Sequence, residues 1–184
     1  ILTFAISVGV LSFFFQEEII AWRFDSLGEE LIQASKSFGM LMISFVFMCI
    51  TYIFGTLLTA HGSLKALNIV ALIAVGLNII LNYLIIPEYG AYGASMTSLV
   101  TQSLTAIFQI FLVFKILRLK FESKKIFSIL TFSLTVIVLG YYAQQLNYHW
   151  ALKYFSALLI AGVIALTSGM VSIKGILGIL KEKE

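Results

Sequence analysis

Charge is scarce in this chain. Of its 184 residues only 11% are Asp, Glu, Lys or Arg, while 60% are hydrophobic. A soluble domain carries roughly a quarter charged residues, so a soluble globular fold is excluded. With a mean hydropathy of +1.03, the chain is a polytopic membrane protein by composition. Proline is scarcer still, with Pro87 alone. Long apolar runs with so few breakers point to helices, and the two-residue alternation of a transmembrane barrel is missing. The single cysteine, Cys49, excludes a disulfide within the chain and reads as a small packing residue. The two histidines, His61 and His149, fall in separate loops, which argues against a metal site. There is no acid pair inside an apolar run, no Ser/His/Asp set, no Cys with a His partner and no phosphate-binding glycine loop. These absences weigh against an enzyme. No cofactor, no metal and no nucleic-acid partner is expected.

What is present is organised around the stretch from Ala60 to Gln109. The loop His61-Gly62-Ser63 leads into an apolar run, Leu64 to Ile86, long enough for a bilayer crossing of about 20 residues. Asn78 and Asn82 lie inside it, one turn apart on one helical face. Pro87 is expected to end the run, and Pro87-Glu88-Tyr89-Gly90-Ala91-Tyr92-Gly93 to form a tight polar turn. A further helix then starts with Ala94, Ser95, Thr97 and Ser98. The pattern predicts a helical hairpin through the membrane with polar groups inside it.

Six spans are expected in all. The first runs from Ile1 to about Phe15 and is closed by Gln16-Glu17-Glu18. The stretch Ile19 to Asp25 mixes apolar residues, Trp and Arg, as membrane-interface segments do. The second span opens on a capping box, Ser26-Leu27-Gly28-Glu29, and continues to Ala60 with Gly62 just beyond. At about 50 Å it exceeds the hydrocarbon core, so Glu29, Glu30 and Lys36 project into the interface and Gly39 is the expected bend. The third span is Leu64–Ile86, the fourth Ala94–Leu117, the fifth Ile126–Gln144 and the sixth Ala151–Ile173. The tail 174–181 is a short amphipathic end suited to the membrane surface. The apolar opening Ile1-Leu2-Thr3-Phe4 carries neither the charged start nor the cleavage site of a signal peptide, and it suggests a fragment that begins inside a helix. No internal repeat is evident.

Lysine and arginine set the orientation. The loops after the second and fourth spans and the C-terminus hold nine of the twelve basic residues: Lys65; Lys115, Arg118, Lys120, Lys124 and Lys125; Lys174, Lys181 and Lys183. The opposite side holds Arg23, Lys36 and Lys153 with six of the nine acids. A cytoplasmic C-terminus follows, with Trp22, Trp150 and Tyr141-Tyr142 marking the outer interface. The basic run from Lys115 to Lys125 serves as a topology signal, with anionic lipid contact as the alternative.

The fourth span carries a polar stripe at Ser98, Thr101, Gln102, Thr105 and Gln109, one helical face. Leu99, Ile107, Phe111 and Phe114 lie opposite. Unsatisfied polar groups do not face lipid, so the stripe faces other helices or a wet cavity. For the hydroxyls, interhelical hydrogen bonding is the simpler account. For Gln102 and Gln109, each with four hydrogen-bonding sites, packing and cavity lining are evenly balanced, as they are for Asn78 and Asn82. Asn68 suits local packing. A weaker stripe at Ser37, Ser44, Thr51, Gly55 and Thr59 suits a close-packed seam.

The stretch GTLLTAHGSLKALNIVALIAVGLNIILNYLIIPEYGAYGASMTSLVTQ resembles the C-terminal half of a polysaccharide-biosynthesis flippase of the multidrug/oligosaccharidyl-lipid/polysaccharide exporter superfamily. The resemblance rests on Gly62, Lys65, Asn78, Asn82, Pro87, Gly90, Gly93 and Ala94, with QEEIIAWRFDSLGEELIQA similar to the family's interfacial segment. It covers roughly Ile1 to Leu117. It implies an all-α, two-lobed exporter fold, of which residues 1–122 supply four helices of the second lobe. Residues 123–184 would then be two additional C-terminal helices with a short tail, the last of about fourteen. It further implies that lipid-linked oligosaccharide moves from the inner to the outer leaflet of the plasma membrane by alternating access, with a missing N-terminal lobe as partner. A pyrophosphate-linked sugar requires cations, amides and hydroxyls. The amides Asn78, Asn82, Gln102 and Gln109 are present, but cations within the spans are not. Arg23 and Lys36 are the basic residues near the outer mouth apart from Lys153, so the main cationic site is expected in the missing lobe. Three other readings compete. One is cation-coupled multidrug efflux within the same superfamily, which favours a membrane-embedded acid that this chain lacks. Another is a non-transporting membrane assembly subunit. The third is a membrane enzyme such as a polymerase or ligase of glycans, against which the lack of charged catalytic groups within the spans counts.

Overall fold

The fold is that of a computed structural model, which describes residues 1–24, 28, 30–119 and 122–170. The Ser26 and Glu29 capping pair and the 174–181 tail lie outside these residues. Among the described residues every element is helical: α1 (Leu2–Phe14), α2 (Gln16–Arg23), α3 (Glu30–Ala60), α4 (Leu64–Leu117), α5 (Ser123–Gln145) and α6 (Trp150–Thr167). By length and composition α3, α4, α5 and α6 can each cross a membrane, and α1 with α2 makes a fifth candidate if the bent pair is one span. The protein is therefore an all-α chain suited to crossing the bilayer several times.

α4 has 54 residues, which would be about 80 Å if straight, far beyond the roughly 30 Å of hydrocarbon. It folds back on itself at Gly90, whose φ of 54° and ψ of −132° are non-helical. Asn82 pairs with Thr97 and Asn78 with Thr101, and Ala74 and Thr105 share one groove. Partner numbers fall on one arm as they rise on the other, so residues 64–89 and 91–117 form an antiparallel hairpin. This corrects the expectation that Pro87 ends its helix. Pro87 lies inside the helix, and the reversal comes three residues later. Proline costs one backbone hydrogen bond near a helix end, whereas the reversal needs a positive φ that glycine alone adopts cheaply. The second arm accordingly starts at residue 91, earlier than the expected Ala94.

α3 is the central element, touching α4, α1 and α2. It runs antiparallel to α1, whose Gly9 lets the two backbones meet. A Cβ there would lie 2.7 Å from Met42 O and 2.6 Å from Val46 Cγ2. Gly39, the expected bend, sits in an uninterrupted α3 and receives the Gln16 carboxamide, which a Cβ would overlap. α1 and α2 meet at 77°, so Gln16 and Glu17 open a second helix rather than merely closing the first. The bend is held from outside: Gln144 Nε2 donates to Phe14 O, Lys153 Nζ lies 5.8 Å from the Phe15 ring centre, and Trp22 and Trp150 rings stand 5.9 Å apart.

α5 and α6 pack on α1 rather than on α4. Their shared core joins Ile6, Leu11 and Phe15 to Phe132, Val136 and Ala143 of α5. α6 contributes Ala157, Ala161 and Ala165, a small-residue seam at four-residue spacing that allows close helix approach. α6 ends at Thr167 rather than at residue 173; Ser168 caps it and Gly169 has φ 70°.

Candidate functional site

The polar residues of the hairpin fall into three settings at increasing depth from the Gly90 reversal. Nearest is a clasp between the arms. Thr97 Oγ1 donates to Asn82 Oδ1 and also lies 2.9 Å from Ala94 O. Asn82 Nδ2 donates to Asn78 Oδ1 at 2.9 Å, and Asn78 Nδ2 donates to Thr101 Oγ1 at 3.2 Å. Thr101 Oγ1 in turn lies 2.8 Å from Thr97 O. Thr97 and Thr101 are buried and the two asparagines half-buried. Both asparagine oxygens and one N–H of each amide are thus engaged inside the hairpin.

The second setting is the flank of the hairpin. Gln102 is half-buried and makes no side-chain hydrogen bond among the described residues. It lies on an open groove of about 280 Å³, with Ala74, Asn78, Ile79, Thr101 and Thr105 also lining it. Here a free carboxamide, one unengaged asparagine N–H and a threonine border a space accessible from outside.

Gln109 occupies the third setting. It is only 4% exposed, and its carboxamide lies over Gly55 of α3, where a Cβ would be 3.4 Å from Oε1 and 3.8 Å from Nε2. Gln109 Oε1 has no hydrogen-bond partner, and neither has the buried Thr51 Oγ1, one turn before Gly55. The same step recurs at the other end of α3, where Ser35 Oγ and Gln16 Oε1 are unpartnered beside Gly39. The chain matches no known family model, no curated protein and no solved structure.

Arg23 and Lys36 are exposed, and neither forms an ion pair among the described residues. The Arg23 guanidinium lies 5.3 Å from the Phe24 ring centre. Gly90 neighbours Gln33, whose Nε2 donates to Tyr89 O at 3.4 Å, so Lys36 stands level with the hairpin reversal. Gly55, and with it Gln109, lies about 28 Å further along α3 at 1.5 Å per residue. The six candidate residues therefore do not converge on one small group. They form a sequence from a basic end, through a satisfied amide clasp, to a free amide and a buried one. Sequence reasoning missed Thr97 as the partner of Asn82 and Gly55 as the floor under Gln109. The Thr51/Gly55 stripe was visible; the arm it faces was not. Among the described residues no three His, Cys, Asp or Glu side chains cluster as metal ligands.

Proposed function

We propose that this chain is part of a six-span region of a transporter that moves lipid-linked glycans across the plasma membrane by alternating access. In this reading α1 is the first span, α4 supplies two, and the C-terminus is cytoplasmic. The observation that carries it is the Gln102 carboxamide on an open groove inside an otherwise apolar chain, with Gln109 deeper on the same helix. Amides without a hydrogen-bond partner are costly in an apolar setting and useful to sugar hydroxyls. The resemblance of residues 62–94 to exporter hairpins supports the same reading, with Arg23 and Lys36 meeting the substrate's charge at the outer mouth.

The satisfied clasp favours a second reading for part of the set. Asn78 and Asn82 already have partners, which suits a rigid hairpin in a non-transporting assembly subunit. One experiment separates the two. Gln102→Leu/Gln109→Leu is introduced into the intact protein, and surface glycan is measured per unit of membrane-inserted protein. Transport predicts normal insertion with glycan delivery lost. Normal glycan at normal protein level refutes a role for the glutamines in the path.

A further inference from the structure

We infer that the groove between the start of α5 and the end of α6 binds the headgroup of an anionic phospholipid through Lys124, Lys125 and Ser128. The groove measures about 370 Å³ and is completed by Ile129, Ser168 and Met170. It lies at the end of the α5–α6 pair remote from Trp150 and the Gln144 contact. Lys124 is exposed and has no ion pair among the described residues. Lys125 Nζ is 2.9 Å from Glu122 Oε2, but the two side chains are 76% and 62% exposed. Such a surface pair contributes little, so Lys125 can turn to a phosphate group that Glu122 itself would repel.

Ser128 distinguishes this groove from a mere topology signal. On α5, Thr131, Ser133 and Thr135 all donate back to a carbonyl three or four residues earlier. Ser128 makes no such bond among the described residues and stands half-buried at the groove wall. Ser168 Oγ is turned to Ala165 O at 3.2 Å. A topology signal needs charge alone; it does not need a cleft or a free hydroxyl one turn from the lysines. Phospholipid, rather than free phosphate, follows from the surroundings. Phe127 and Leu130 on α5 are 69% and 62% exposed, giving acyl chains an apolar surface within two turns of the cations. Interfacial lysines attract anionic headgroups individually, and a hydroxyl donor adds a directed, charge-assisted bond.

The test uses the intact purified protein in detergent, titrated with dioleoyl phosphatidylglycerol, phosphatidylcholine or inorganic phosphate, with bound lipid counted by native mass spectrometry. Phosphatidylglycerol should be retained at least tenfold better than phosphatidylcholine. Lys124→Gln/Lys125→Gln should weaken retention about thirty-fold, the factor expected for losing two interfacial cations. Ser128→Ala should weaken it several-fold with charge unchanged, and Lys65→Gln, in the first turn of α4, less than twofold. Equal retention of both lipids by the wild-type protein overturns the inference without any variant having to fold. So does an equal loss for Lys65→Gln and the double variant, which means diffuse surface charge. Inorganic phosphate competing as well as the lipid overturns the choice of a phospholipid.

Discussion

If the clasp joins the hairpin arms, Asn78 and Thr101 must be energetically coupled. Asn78 is its hub, accepting from Asn82 and donating to Thr101 at 3.2 Å. Asn78→Leu removes both bonds and leaves Asn82 Nδ2 without its partner. Thr101→Val keeps the shape, removes the hydroxyl and strands Asn78 Nδ2. Interhelical hydrogen bonds in membrane proteins contribute about 0.6 kcal/mol on average and up to about 1.7. Thr101→Val should therefore cost about that range, and Asn78→Leu roughly twice it, less the gain from an added apolar side chain. Once Asn78 is gone, Thr101 has no partner on the other arm to lose, so the double variant should cost less than the sum. The expected coupling is about 0.6–1.7 kcal/mol. Unfolding by steric trapping in bicelles measures each corner of the cycle. A coupling below about 0.3 kcal/mol, the scatter of independent sites, would refute the clasp. Loss of transport with no loss of stability would refute its purely structural role.

Gly90→Ala should lower stability by about 1–3 kcal/mol, because φ 54° with ψ −132° is open to glycine and strained for alanine; an unchanged thermal midpoint would contradict the reversal at this residue. Gly9→Ala should be worse than Gly55→Ala, since the first Cβ meets Met42 O at 2.7 Å and the second meets Gln109 Oε1 at 3.4 Å. Backbone yields less readily than a glutamine tip, so equal effects on thermal stability would disprove the α1–α3 crossing. Single cysteines at Glu88 and Tyr148 should label with an impermeant maleimide from one membrane face, and those at Lys65 and Glu122 from the other. Labelling of Glu88 and Glu122 from the same face would break the antiparallel hairpin.

Much of the helical order was legible because apolar length and punctuation are local. The hairpin follows from Pro87 to Gly93 standing between two apolar runs, although the strongest punctuation mark, proline, was not where the chain turned. The bend between α1 and α2 was not legible. Phe15 is neither proline nor glycine, and the contacts that hold the bend come from Gln144, Trp150 and Lys153, far along the chain. The candidate site divides similarly. Helical spacing placed Asn78 with Asn82 and Gln102 with Gln109 on their own faces. It could not supply the register between arms that hands Asn82 to Thr97, nor the crossing that seats Gln109 on Gly55. Spacing within one helix carries no information about the helix opposite.

Among the described residues, four buried polar atoms without a partner give this arrangement a direction. Gln109 Oε1 lies against Gly55 of α3 with Thr51 one turn away, and Gln16 Oε1 and Ser35 lie near Gly39, on the side of α3 that meets α1 and α2. Between α1, α5 and α6 the core is largely apolar and the buried Ser12 is paired with Tyr154. An apolar interface gains from burial that a shift of one ridge would forfeit. A seam with unsatisfied oxygens holds its present geometry less firmly, because another geometry can supply the missing partners. The joint of α3 with the second arm, around Gly55 and Gln109, should therefore be more readily displaced than that of α1 against α5 and α6. If α3 slides along the second arm by one turn, Gln109 leaves Gly55 and can meet Thr51 or Thr59, four residues to either side. The clasp, wholly inside the hairpin, would survive that movement. Cross-links between α3 and residue 109 should thus trap more than one register, whereas cross-links between α1 and α5 should trap a single one. A single register for both pairs would remove the distinction between the two joints.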